Sequence, residues 1–190
     1  DSDTIELGTV TASVSATVTA ENADADVTPF TGGLTELILN DTEGDVVLAP
    51  PLVLAGTITD FTLSSVGAIE AQALSLPGVN LTLDAAAEVS FTTGASTVAG
   101  LEVIAGGDVT QTVGVEVTGA TSVSAAGQDV TLDNAANDFS GPVALSGQTV
   151  VIRDANDLQL DDIAASTLTV NASGAVTQAS AGSLTITTTT

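Results

Sequence analysis

Between residues 153 and 162 the chain reads RDANDLQLDD, which sets Asp154, Asn156, Asp157, Asp161 and Asp162 within ten residues of one another. Carboxylate and amide oxygens at that density are the hard ligands that Ca²⁺ takes. A second run, Asp133, Asn134, Asn137 and Asp138, lies one repeat earlier. Neither run has the glycine and glutamate that an EF-hand loop puts at its sixth and twelfth positions. The glycine-rich nonapeptide of calcium-loaded β-rolls is missing as well. Asp and Asn at turns commonly bond their own backbone. Two readings of Asp154, Asn156, Asp157 and Asp161 therefore stand, turn residues first and calcium ligands second, and no other metal or cofactor is implied.

Other chemistry lacks its residues. The chain has no Lys, His or Cys, and Arg153 is its single cation. Thiol and Ser-His nucleophiles are ruled out, and zinc has none of its usual nitrogen or sulfur ligands. Glycan cleavage would need paired carboxylates, or a cation with an Arg or Lys base. Here no Trp or Tyr is present to stack on a sugar ring. Arg153 lies beside Asp154 and near Asp157, so an ion pair at a turn is expected of it rather than a catalytic role. The expectation is a protein that is not an enzyme. Sequons at Asn40, Asn80 and Asn171 would carry glycan only on a eukaryotic secretory route.

The elements that position these residues are strands of small side chains. Of 190 residues 44% are apolar, mostly Ala, Val and Leu, with four Phe. Such residues suit tightly stacked strands about 4.8 Å apart. The 24 acidic residues give a net charge of −23, which argues against partners such as nucleic acid or anionic lipid. Read as spread along the whole chain and interleaved with apolar residues, they describe a folded, soluble surface rather than a disordered tail. The absence of Cys tilts the reading toward a bacterial surface protein. The most apolar stretch, VVLAPPLVLAG at 46–56, is short and broken by Pro50 and Pro51, so no transmembrane helix is expected. No positively charged signal segment precedes Asp1, which fits a mature chain or an excised segment.

Period decides the architecture. Gly67, Ala87, Gly107, Gly127 and Gly147 lie 20 residues apart, with Gly44 placed 23 residues before the series and Gly174 placed 27 after it. The segments 81–91, 101–111, 121–132 and 168–178 can be laid over one another, so that Leu81, Leu101 and Leu168 coincide, as do Ala85, Ala105, Ala125 and Ala172. Short alternating strands recurring at this interval make a coil that stacks on copies of itself. The fold expected is all-β, a right-handed parallel β-helix (solenoid) with coils of about 20 residues and three short sides, the hand following from the crossover rule. A β-sandwich is the competing architecture. The five residues of the 20-residue series should stack along the axis. Residues 1–33 lack the period: a strand over 4–20 and a loop over 21–33 form an N-terminal cap, an irregular coil or a strand given to a neighbour. Residues 34–190 form the repeat region.

The segment DVTLDNAANDFSGP at 129–142, the strand VALSG and the run VVIRDANDLQL that follow it, together with LEVIAGGDVTQ and LTVNASGAVTQ, resemble the shaft repeats of large bacterial adhesins of the filamentous haemagglutinin type. The resemblance covers about 80–180, weakens over 34–80 and fails at 1–33. It implies an exported β-helical rod at the cell surface. That family's N-terminal secretion domain and its Asn-Pro motifs are not seen. The function expected is a structural shaft segment of an extracellular adhesin or biofilm matrix protein, which projects a binding region from the cell toward a host or matrix receptor. The rival is a self-assembling extracellular filament subunit, joined by β-strand addition or end-to-end stacking of coils.

Overall fold

The computed structural model describes residues 15–20, 35–48 and 57–187. These form a parallel β-solenoid with coils of about 20 residues, and no helix occurs among the described residues. Each coil has three sides. On the first side Ser15–Ala20 pairs with Glu36–Asp41 and that with Asp60–Ser65. The ladder continues through 80–85, 100–105, Thr121–Ser124, 143–146 and 163–165 to Leu184–Ile186. The second side stacks Val46–Leu48, Ile69–Gln72, Val89–Thr92, Val109–Gln111, Val130–Leu132, 150–154 and 168–172. The third stacks 75–76, 96–98, Val115–Val117 and Asp138–Phe139. It resumes with 158–160 under Val176–Gln178, and at the break Asp154 takes the Phe139 N–H in place of a strand partner.

Alternation places every second side chain inside. Leu37, Phe61, Leu81 and Leu101 make one buried column of the first side, and Leu39, Leu63, Leu83, Val103, Val123 and Leu145 make the next. The second side buries Val46, Ile69, Val89, Val109, Val130 and Val150 in a single file. Burying each such side chain contributes about 1.5–3 kcal/mol. Like on like at a fixed step fills the interior evenly without large anchors. Phe61, Phe91 and Phe139 are the largest fully buried side chains.

The corner between the first and second sides explains the glycines. A Cβ on Gly67 would lie 2.3 Å from the Gly44 carbonyl oxygen, and one on Gly106 would lie 2.2 Å from that of Ala86. The coil below leaves no room there. Ala87 donates its N–H to Gly67 and Gly107 donates to Ala87, so these three do stack. The next coil is one residue longer, because Val109 stands opposite Val130. The column therefore passes on through Gln128 and Gln148, which are hydrogen-bonded to each other. Gly127 and Gly147 sit one residue before it, and Gly127 is at a left-handed φ of 79°.

A second correction concerns the overlaid segments. Ala85 does face Ala105 and Leu81 faces Leu101, but Leu168 stands on Val150 and Ala172 on Asp154, both on the second side. Residues 101–111 turn the corner from the first side to the second, whereas 168–178 turn from the second to the third. The 27-residue interval before Gly174 is one coil plus one side. Strand Ser15–Ala20 joins the first side 21 residues ahead of Glu36. The remainder of 1–33, with the rest of the expected 4–20 strand, lies outside the described residues, as does the Pro50–Pro51 break.

Candidate functional site

The acidic run at 153–162 is spread over two corners and both faces of the coil wall. Arg153 points outward and Asp154 inward, as consecutive strand residues must, so the expected ion pair between them is not formed. Asp154 is buried; its Oδ2 accepts the Phe139 N–H at 2.8 Å and its Oδ1 the Asn156 N–H at 2.6 Å. Asn156 is exposed, and its carbonyl accepts from Gly174. Asp157 and Asp162 are outside, each committed to the coil above. Asp161 is half-buried at the corner where Gly182 crosses it. Among the described residues no three acidic side chains gather as they would around a metal ion.

The earlier run is also divided. Asn134 closes its own turn by accepting the Ala136 N–H. Asn137 is buried, accepts from the Val115 N–H of the coil below, and donates to the carbonyls of Leu132 and Arg153. Gln111, at an inward position above Phe91, pairs with the Asn137 amide. Asn137 thus satisfies backbone groups of successive coils that would otherwise be unpaired in the interior, where each would cost about 1–3 kcal/mol. The sequence marked Asn137 only as one more turn residue and missed Gln111.

A pattern that no motif search looks for does recur. Asp45 accepts the N–H of Ala68 at 2.7 Å, Asp108 that of Asp129 at 3.0 Å, and Asp129 that of Thr149 at 2.9 Å. Asp157 accepts from Ala175 at 2.7 Å and Asp162 from Ser183 at 2.9 Å. In every case the donor is the residue directly above in the next coil, and the Asp precedes an inward Val, Leu or Ile: Val46, Val109, Val130, Leu158 and Ile163. Five carboxylates are therefore clips between coils. The dipeptides Asp-Val, Asp-Leu and Asp-Ile at strand starts are the signal by which the sequence carries them.

Outward carboxylates are tied to hydroxyls and amides in neighbouring coils. The Asn80 amide, and then the Thr59 hydroxyl, hold the Asp60 carboxyl below its ordinary value. Thr92 and then Gln72 do the same for Glu70, and the Ser183 hydroxyl followed by its N–H does so for Asp162. Hydrogen bonds to the charged form have this effect, so these groups are held ionised rather than poised to donate a proton. The first side carries a shallow trough of about 320 Å³ over its last coils, lined by Ser122, Ser124, Ala144, Ser146, Ala164 and Thr185.

No helix of the described residues is long and apolar enough to cross a membrane. The chain matches no curated protein and no solved structure. A family model described as repeats of unknown function (DUF5649) matches it twice, over residues 78–146 and 147–190. The boundary between the two matches falls at Gly147, the corner between two sides of one coil. Together the matches take in more than half of the chain, which therefore belongs to this family of repeats.

Proposed function

We propose that the chain is a structural shaft segment of an extracellular bacterial adhesin or matrix protein, of the filamentous haemagglutinin kind, which holds a binding region away from the cell. The observation that carries this reading is the continuity of the wall. Two parallel ladders and one apolar interior run on unbroken from coil to coil, with a third ladder interrupted once after Phe139, and stacked coils of this kind resist bending along their axis. The acidic side chains support it too, since several are spent on joining coils rather than on an exposed cluster. The shaft performs no catalysis, takes no cofactor, and binds neither nucleic acid nor membrane.

Two measurements test the reading. The purified chain should scatter X-rays as a rod roughly 40 Å long, and duplicating residues 80–99 should lengthen it by about 4.8 Å. An antiserum against it should label intact cells of the source bacterium. A compact particle, labelling only after lysis, or turnover of a polysaccharide would each overturn the shaft. Millimolar Ca²⁺ should raise Tm no more than Na⁺ at matched ionic strength; a larger rise would restore calcium as a ligand of Asp157 and Asp161.

A further inference from the structure

Two neighbouring coils share one carboxylate on the outer face of the second side. Glu70 and Gln72 alternate with buried Ile69 and Ala71 and so point outward, and Thr92 stands directly above Gln72 as its ladder partner. The Gln72 side-chain amide donates from Nε2 to Glu70 Oε1 at 2.9 Å. The Thr92 hydroxyl donates to that same oxygen. A hydroxyl and a primary amide, on paired residues of strands about 4.8 Å apart, thus hang from one carboxylate oxygen. These bonds, Thr92 first and Gln72 second, are what hold the Glu70 carboxyl below its ordinary value.

The corner that follows is strained in both coils. Ala73 and Thr93, the residues next after Gln72 and Thr92, have left-handed φ of 44° and 51°. For a β-branched residue such as Thr93 that conformation is an outlier, and it persists only where the surroundings impose a geometry. Other outward carboxylates are arranged differently. Asp60 takes the Asn80 amide on Oδ1 and the Thr59 hydroxyl on Oδ2, opposite oxygens. Thr82 bonds Glu102 and Thr97 bonds Glu116, with no side-chain amide beside them among the described residues. Gln159 and Thr177 are ladder partners just as Gln72 and Thr92 are, but among the described residues no carboxylate bridges them.

We infer that Thr92 and Gln72 join in an ester, formed by the chain itself, that ties two coils together covalently. Glu70 is the base. Its carboxylate takes the Thr92 hydroxyl proton as Oγ1 attacks the Gln72 side-chain carbonyl carbon, Cδ. The bond from Cδ to Nε2 then breaks, Glu70 passes the proton to the departing nitrogen, and ammonia leaves. An amide and an alcohol become an ester and ammonia, and Glu70 ends as the carboxylate it was. The step consumes no oxidant, metal or cofactor. A carboxylate held below its ordinary value is a weak base, so the reaction is slow, but it has to occur only once per molecule. Folding supplies the rest, because well-oriented partners in one molecule react at effective concentrations on the order of 10⁵ M or more. The ester would keep the two coils joined even when the hydrogen bonds between them open. It needs only the folded coils, so its outcome is read separately from that of the shaft.

Intact-mass measurement on the purified, folded chain tests the ester. The wild-type mass should fall short of the sequence mass by about 17 Da, one ammonia, in a fraction that grows on incubation. Cleavage after glutamate should release Gln72 and Thr92 in one branched peptide, which hydroxylamine splits. Thr92→Val, Glu70→Ala and Gln72→Glu, each with the circular dichroism of the wild type, should keep the full mass of their own sequences. Thr92→Ser retains the hydroxyl and should lose the ammonia, and Thr177→Val should lose it as wild type does. A folded wild-type chain at full mass after prolonged incubation, a loss that survives Thr92→Val, or a branched peptide joined at Gln159 would overturn the ester. A loss undiminished in Glu70→Ala would overturn Glu70 as its base.

Discussion

The segments LEVIAGGDVTQ at 101–111 and LTVNASGAVTQ at 168–178 agree at seven of eleven positions, and they live in different surroundings. Leu101, Val103, Ala105 and Val109 are buried. Their counterparts Leu168, Val170 and Ala172 are half-buried, and Val176 is 50% exposed. The shared residues are the inward positions, one corner glycine and the Thr-Gln that ends the second strand. The differing pairs are Glu102 and Thr169, Ile104 and Asn171, Gly106 and Ser173, Asp108 and Ala175. In a stack, then, burial is conferred by the coil above rather than by the segment's own residues. The substitutions that accompany exposure take away both charges.

The sharpest way to break this comparison is to truncate the same position in both segments. Val109→Ala should cost about 2–3 kcal/mol, from two lost methyl groups and the cavity left behind. Val176→Ala should cost less than about 1 kcal/mol, because half of that surface already faces water. Denaturant midpoints at low concentration decide it. Equal losses would mean that something covers the last coil in solution.

The corner residues give a smaller contrast. Gly106→Ala should destabilise by about 1–3 kcal/mol, since the new methyl would press on the Ala86 carbonyl. Ser173 already carries a Cβ at the matching corner, so Ser173→Ala should stay within about 0.5 kcal/mol. A harmless Gly106→Ala would show that neighbouring coils part more easily than their hydrogen bonds imply.

Thr121 sharpens the comparison from the other direction. It continues the column of Leu101 and precedes Val143, and its buried hydroxyl has no hydrogen-bond partner. Thr121→Val should raise stability by about 1 kcal/mol, read as a higher Tm. A lower Tm would mean that the hydroxyl is bonded in solution.

The smallest effect is in acid. Asp162, Glu70 and Asp60 are lowered from ordinary values of 3.8, 4.5 and 3.8 by their hydrogen bonds. A folded pKa below the unfolded one stabilises above the unfolded value, and that contribution fades as pH falls through the lowered one. Ser183→Ala should move Asp162 up toward 3.8, and Thr92→Val should move Glu70 up toward 4.5, as followed by carboxyl NMR. Each variant's deficit against wild type should be full near neutrality and vanish in strong acid. An Asp162 titration unchanged in Ser183→Ala would mean that the Ser183 hydroxyl does not bond that carboxylate in solution.

Much of this was legible because a stack repeats its physics. Each coil must put small apolar residues inside at the same step, so the period, the three sides and most buried columns follow from alternation. What escaped was phase. Leu168 aligns with Leu101 in sequence but stands on Val150, because strand, glycine and strand can turn any of the three corners alike. The one-residue slip at Gly127 has the same origin, since a corner absorbs an extra residue without disturbing the wall. Asp154 escaped for another reason. A carboxylate is assigned to the outside on sight, and only the backbone N–H groups of Phe139 and Asn156 explain its place inside. The acidic residues are spread as the sequence implied only as far as Asp162.

The interchangeable corners make the coil a dial with three stops. Lengthening the chain by one side advances everything downstream by a third of a turn, while inward residues continue to meet inward residues. The step to Gly174 is such an advance, and it carried a familiar segment from one flank of the rod to the next. Through insertions of that size a solenoid can rotate what it displays, bringing a given row of Thr or Glu to face a different side without redesigning the interior that holds it.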